Sequence, residues 1–125
     1  MLRRLEAHCG LDPYMPVADL QVRRFFTDCG FEIVRLEGLK CAGPVLIAHV
    51  SEAELRDAIL RLDGPDVEAI VQVGTNLAMA RLAGLAEFWL GKPVIAINTA
   101  TYRWALRRNG IGDPVHGFGS LLQNH

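Results

Sequence analysis

Asp66-Val67-Glu68-Ala69-Ile70-Val71-Gln72-Val73-Gly74-Thr75-Asn76-Leu77 is the stretch that decides the fold. Val67 to Val73 is mostly apolar and β-branched, the composition of a strand covered on both faces. Gly74-Thr75-Asn76 then turns the chain into Leu77–Leu90, a run rich in Ala and Leu that is predicted as a long helix. Gly91-Lys92-Pro93 ends that helix, and Val94-Ile95-Ala96-Ile97 is a further short buried strand. Asn98-Thr99 is an N-cap pair for a helix over Thr101–Arg108, closed by Asn109-Gly110.

The same alternation continues upstream. From Ala18 to Cys29, the residues Val22, Phe25, Phe26 and Cys29 recur at i, i+3, i+4 and i+7, one apolar stripe of an amphipathic helix with Gly30 at its C-terminal end. Phe31–Leu36 alternates as a strand, and Gly38, Gly43 and Pro44 mark a long loop after it. Ser51-Glu52-Ala53-Glu54 is a capping box, opening a helix that buries Leu55, Ala58, Ile59 and Leu62 and stops at Gly64-Pro65-Asp66. The tail from Val115 to Leu122 is interrupted by glycines and suits an edge strand or a short helix.

Strands alternating with helices imply a parallel sheet with right-handed crossovers. The expected fold is therefore α/β: a three-layer α-β-α sandwich with a mostly parallel sheet of about four strands, the first of them lying before Ala18. Residues 1–125 form one domain, with no linker or internal repeat. Half of the residues are apolar and 22% are charged, enough to bury a core. Thirteen basic against fourteen acidic residues leave no excess for nucleic acid or an anionic membrane surface. No apolar run approaches the roughly 18–20 residues of a membrane span, and Met1–Glu6 lacks the apolar region of a secretory signal. Cys9, Cys29 and Cys41 have no metal-like spacing and read as reduced thiols of a cytoplasmic protein.

Ligands of open parallel sheets bind beyond the carboxyl ends of the strands. Three turns qualify: Asp12–Pro16, Val73–Asn76 and Ile97–Thr101. At the middle one, a glycine followed by a hydroxyl and an amide at a helix start offers backbone N–H groups and a positive dipole end to a carboxylate. The plainer alternative is that Thr75 and Asn76 cap the helix. Tyr14, between two prolines, either donates its phenol to the same carboxylate or packs for its area. His49 reads as a partly buried histidine among apolar residues, while His116 and His125 have no evident partner. Cys41 has no adjacent base to activate it. Trp89 and Trp104 suit helix faces packed on the sheet.

The 66–77 stretch resembles the second catalytic motif of maleate cis-trans isomerases and arylmalonate decarboxylases, in the aspartate/glutamate racemase superfamily. The likeness extends through Gly91–Asn98, Trp104–Arg107 and Gly117–Leu122, and upstream through Pro13-Tyr14, Phe25-Phe26 and Gly30–Val34, covering about residues 13–122. The resemblance implies one half, the C-terminal one, of a two-domain racemase-type fold whose cleft holds small dicarboxylates or related acids. It implies cysteine chemistry without metal or organic cofactor. It also implies that Tyr14, Gly74, Thr75 and Asn76 stand at the substrate-binding positions.

Three departures limit what can be carried over. Gly74 stands where the family carries its cysteine, so no catalytic residue is assigned. The chain has only one half of the family's length. Arg3–Gly10 is charged where the family has an apolar central strand. The expectation is a half-domain, catalytically impaired by itself, that retains a turn for a small carboxylate and forms a homodimer or pairs with a complementary half. The alternatives are a cofactor-independent isomerase, racemase or decarboxylase active only with a partner half, and a self-associating remnant without ligand.

Overall fold

The computed structural model describes residues 3–9, 16–39, 41 and 44–125, with side chains from residue 19 onward except at positions 40 and 42–44. Four strands, β1 (Arg3–Cys9), β2 (Phe31–Gly38), β3 (Ala69–Val73) and β4 (Val94–Ala96), form one sheet in the order β2-β1-β3-β4. Every neighbouring pair is parallel. The charged N-terminal segment therefore forms an inner strand. A register irregularity falls where Leu5 pairs with Ile33 but Ala7 pairs with Leu36.

Helices α1 (Pro16–Asp28), α2 (Pro44–Ile47), α3 (Glu52–Leu62), α4 (Ala80–Leu90), α5 (Ile97–Arg108) and α6 (Ser120–Asn124) complete the described elements. The expected long loop after β2 is interrupted by α2, and the tail closes as the short helix α6 rather than an edge strand.

Side chains alternate across β3 and β4, so each strand feeds two cores. On one face Ile70, Val94 and Ala96 pack with Leu55, Ile59 and Leu62 of α3 and with Leu82, Ala83 and Ala86 of α4. The expected stripe of α3 is wholly buried, and its capping box is formed: Ser51 Oγ accepts the Glu54 amide at 3.2 Å, and Glu54 Oε2 accepts the Ser51 amide at 3.0 Å. On the other face Ala69 and Val71 meet Val22 and Ile33, with Phe26, Phe31 and Ile95 partly covered around them.

That second face is less complete than the sequence suggested. Of the stripe on α1, Val22 is buried, but Phe25 is 62% exposed and Cys29 also faces solvent. Trp89 and Trp104, expected against the sheet, are 49% and 64% exposed. An open groove of about 620 Å³ lies between α1 and α5, floored by Ala69, Val71 and Ile95. The cause lies in α5, of which Thr99 is the buried residue.

Two polar staples tie connections between elements together. Lys92 Nζ donates to the carbonyls of Gly64 and Val67, both at 3.0 Å, and pairs with Asp63 at 2.6 Å. Glu87 accepts the amide and hydroxyl of Ser120 at 2.7 and 3.0 Å, holding the start of α6 on α4. A Cβ at Gly84 would lie 2.8 Å from the Gly119 nitrogen, so glycine permits this close approach. Among the described residues, no helix is long and apolar enough to cross a membrane.

Candidate functional site

The carboxyl ends of β3 and β4 lie side by side, bringing the Gly74–Leu77 turn against the first turn of α5. The link is Gln72, a completely buried amide in an otherwise apolar strand. Its Nε2 donates to the Gly74 carbonyl at 2.7 Å, and its Oε1 accepts the Ile97 amide at 3.4 Å. That second bond satisfies the first N–H of α5, whose N-cap Ala96 has no side chain for the task. Asn98 adds a second tie, its Nδ2 donating to the Thr75 carbonyl at 3.0 Å. The Leu77 amide closes the turn on Gly74 at 3.4 Å.

Gly74 has φ +106°, a region that L side chains rarely adopt. Gly74 thus lacks a side chain and also adopts a backbone that disfavours one. Thr75 and Asn76 both face solvent beside it.

Two helix starts differ from expectation. The helix after β3 begins at Ala80 rather than Leu77, with Met79 as a cap that makes no side-chain bond. Leu77 and Met79 are each 1% exposed, so the turn and irregular segment before the helix bury both side chains in the core. Thr75 and Asn76 accordingly neither cap α4 nor sit on its amide end. The helix after β4 begins at Ile97, one residue after the strand, so Asn98 and Thr99 lie inside α5 instead of capping it. Thr99 is 4% exposed and its Oγ1 has no hydrogen-bond partner among the described residues. It borders a cavity of about 170 Å³ shared with Ala80, Tyr102 and Phe118.

No charged side chain occurs from Ala69 to Ala80 or from Pro93 to Tyr102. An anion at this edge would therefore meet amides, hydroxyls and backbone N–H groups rather than an ammonium or guanidinium from these segments. Tyr14 and the turn around it, residues 12–15, lie outside the described residues, as does Gly43.

The remaining candidates stand apart from the turn. His49 is exposed rather than partly buried, and His116 and His125 also face solvent. Cys29 and Cys41 are free thiols, the latter half-buried with its Sγ 4.0 Å from the Leu39 carbonyl. Gln72 and the bridging role of Asn98 were missed in the sequence. The available signal was a lone carboxamide inside the apolar run of β3.

No family model and no curated protein matches the chain. Solved structures do. The maleate cis-trans isomerase of Nocardia farcinica is 26% identical over 97% of this chain and 48% of its own, with a TM-score of 0.86. The maleate isomerase Iso of Pseudomonas putida S16 is 24% identical over 98% of this chain and 48% of its own, with a TM-score of 0.87. Arylmalonate decarboxylase is 23% identical over 97% of this chain and 53% of its own, with a TM-score of 0.84. A cysteine-to-serine variant of the Nocardia enzyme has been observed with a covalently bound succinylcysteine intermediate, and a cysteine-to-alanine variant of the Pseudomonas enzyme with maleate. This chain, a parallel α/β sandwich spanning about half the length of those proteins, has the fold of one half of the maleate cis-trans isomerase and arylmalonate decarboxylase chains.

Proposed function

We propose that this chain is a maleate-isomerase-like half-domain that holds a small carboxylate, of dicarboxylate size, at the Gly74–Asn76 turn without performing the family's chemistry by itself. The observation that carries the reading is the turn itself. It sits at the carboxyl edge of a parallel sheet, is tied on both sides by Gln72 and Asn98, and has glycine at φ +106° where the motif has its thiol. A glycine supplies neither nucleophile nor proton carrier, so addition to a double bond or proton transfer at that position has no agent. Thr75 and Asn76 remain as polar contacts, with Tyr14 as the third by resemblance. No metal or organic cofactor enters this reading. The protein is taken as cytoplasmic and as a homodimer.

Calorimetry with maleate and malonate at millimolar concentration tests it. Binding that is lost in Thr75→Val and Asn76→Ala, with no conversion of maleate to fumarate, is the expected result. Turnover by the purified chain would overturn the non-catalytic part, and absence of binding by either acid would overturn the carboxylate part. A second reading, an isomerase, racemase or decarboxylase completed by a partner half, is favoured by the chain's spanning about half of its structural neighbours. It requires turnover to emerge when a cysteine-bearing half is added. In the third reading, self-association without ligand, calorimetry stays silent while the chain still pairs.

A further inference from the structure

Capping α5 accounts for one end of Gln72 only. Its Oε1 accepts the Ile97 amide at 3.4 Å, but the shorter bond, 2.7 Å, runs from Nε2 to the Gly74 carbonyl. A carboxamide buried completely in an apolar strand is costly, and these two bonds are what offset the cost. The Gly74 oxygen also accepts the Leu77 amide at 3.4 Å, so it is held from within the protein.

The consequence falls on the next N–H. No peptide bond among the described residues is cis. In a trans peptide the carbonyl and the following N–H point to opposite sides of the unit. With the Gly74 oxygen turned onto a buried donor, the Thr75 N–H is turned outward, where Thr75 itself is exposed. The same holds one residue on. Asn98 Nδ2 holds the Thr75 carbonyl at 3.0 Å, so the Asn76 N–H points away from α5. Neither amide has a hydrogen-bond acceptor among the described residues.

We propose that Gln72 is the positioning residue of the carboxylate turn: it keeps the Gly74 carbonyl inward, so that the Thr75 amide is already aimed at the place of a carboxylate oxygen. The inference rests on the carboxylate reading of the turn and adds to it the side chain that presets the geometry. A donor fixed in advance meets an anion without first having to be ordered. Asn98 does the same for the Asn76 amide, but it lies in solvent, where water competes for its bond.

Calorimetry with maleate on the wild type, Gln72→Met, Gln72→Glu and Asn98→Ala tests the inference, each variant being checked for a native far-ultraviolet spectrum. Gln72→Met keeps the length of the side chain and loses both bonds. Its affinity should fall about tenfold, against about threefold for Asn98→Ala. Gln72→Glu gives a readout that packing alone would not move. Burial raises a carboxyl pKa, and the protonated group again has a donor for the Gly74 oxygen and an acceptor for the Ile97 amide. Its affinity, relative to the wild type at the same pH, should therefore recover as pH falls from about 8 to about 5.5. In proton–nitrogen correlation spectra of the wild type, maleate should move the Thr75 amide proton downfield.

Equal affinity in the wild type and a folded Gln72→Met overturns the positioning role and leaves the carboxylate reading in place. So does a Thr75 amide that bound maleate leaves unmoved, or a relative affinity of Gln72→Glu that stays flat with pH. These last two decide the question even if Gln72→Met does not fold. A wild type that binds neither maleate nor malonate overturns the carboxylate reading and this inference with it.

Discussion

Gln72 accepts the backbone amide of Ile97 through its Oε1 at 3.4 Å, so one buried side chain of β3 serves as the cap of the helix that follows β4. Its other end holds the Gly74 carbonyl at 2.7 Å. The candidate turn and the first turn of α5 are thereby set by a single carboxamide.

Gln72→Leu keeps the volume and removes both bonds, stranding a buried carbonyl and the first N–H of α5. The expected loss is about 2–3 kcal/mol of stability by urea denaturation. Gln72→Glu should do at least as badly, since a carboxylate offers no donor to the Gly74 oxygen and is costly at this completely buried position. A neutral result for Gln72→Leu would mean that the backbone finds other partners.

Gly74→Cys replaces the missing thiol but meets the backbone at φ +106°. The variant should lose about 1–2 kcal/mol relative to the wild type, and Gly74→Ala should lose a similar amount. Equal losses in the two would identify the backbone, rather than the sulfur, as the cause. The Cys variant should remain inactive on maleate by itself.

Lys92→Met preserves most of the aliphatic stem and deletes the ammonium shared by Gly64, Val67 and Asp63. Its side chain is 18% exposed, so solvent compensates poorly, and the loss should be about 1–3 kcal/mol. Because the partners include two carbonyls, moderate salt should change the deficit little. A deficit that vanishes in salt would place the stabilisation in the Asp63 pair.

The capping box sets a pH dependence. Hydrogen bonds from the Ser51 backbone and hydroxyl hold the Glu54 carboxyl below its ordinary 4.5. A depressed carboxyl pKa contributes stability that is present above the ordinary value and lost as pH falls through the lowered one. Ser51→Ala should therefore lower the denaturation midpoint at neutral pH, with a deficit that narrows under acid. Denaturation midpoints from neutral pH down to pH about 3 will show it; a deficit constant across that range would exclude the coupling.

The alternation of β3, α4, β4 and α5 was legible because local patterns name those elements: β-branched strands, an Ala-Leu helix and glycine stops. The stripe of α3 and its capping box were equally plain. The start of α4 was not, because Leu77 and Met79 look helical in sequence while both are buried in the turn and irregular segment that precedes Ala80. The first strand was obscured for the opposite reason, since Arg3–Cys9 carries charges that local periodicity assigns to the surface. Phe25 and Trp104 read as core because periodicity reports a face and cannot say whether the chain itself covers it. Gly74, Thr75 and Asn76 were correctly placed at a strand's carboxyl end. Their support by Gln72 and Asn98 was invisible, because it joins segments far apart in sequence.

The inner position of β1 also governs how the molecule comes into being. Leu5 pairs with Ala69, with half of the chain between them, whereas β1 meets β2 after a single helix. On a ribosome, the first strand must wait with one edge open until β3 emerges, and closing so long a loop slows the approach to the native state. The charges of Arg3, Arg4 and Glu6 along that waiting strand act against pairing with another nascent chain.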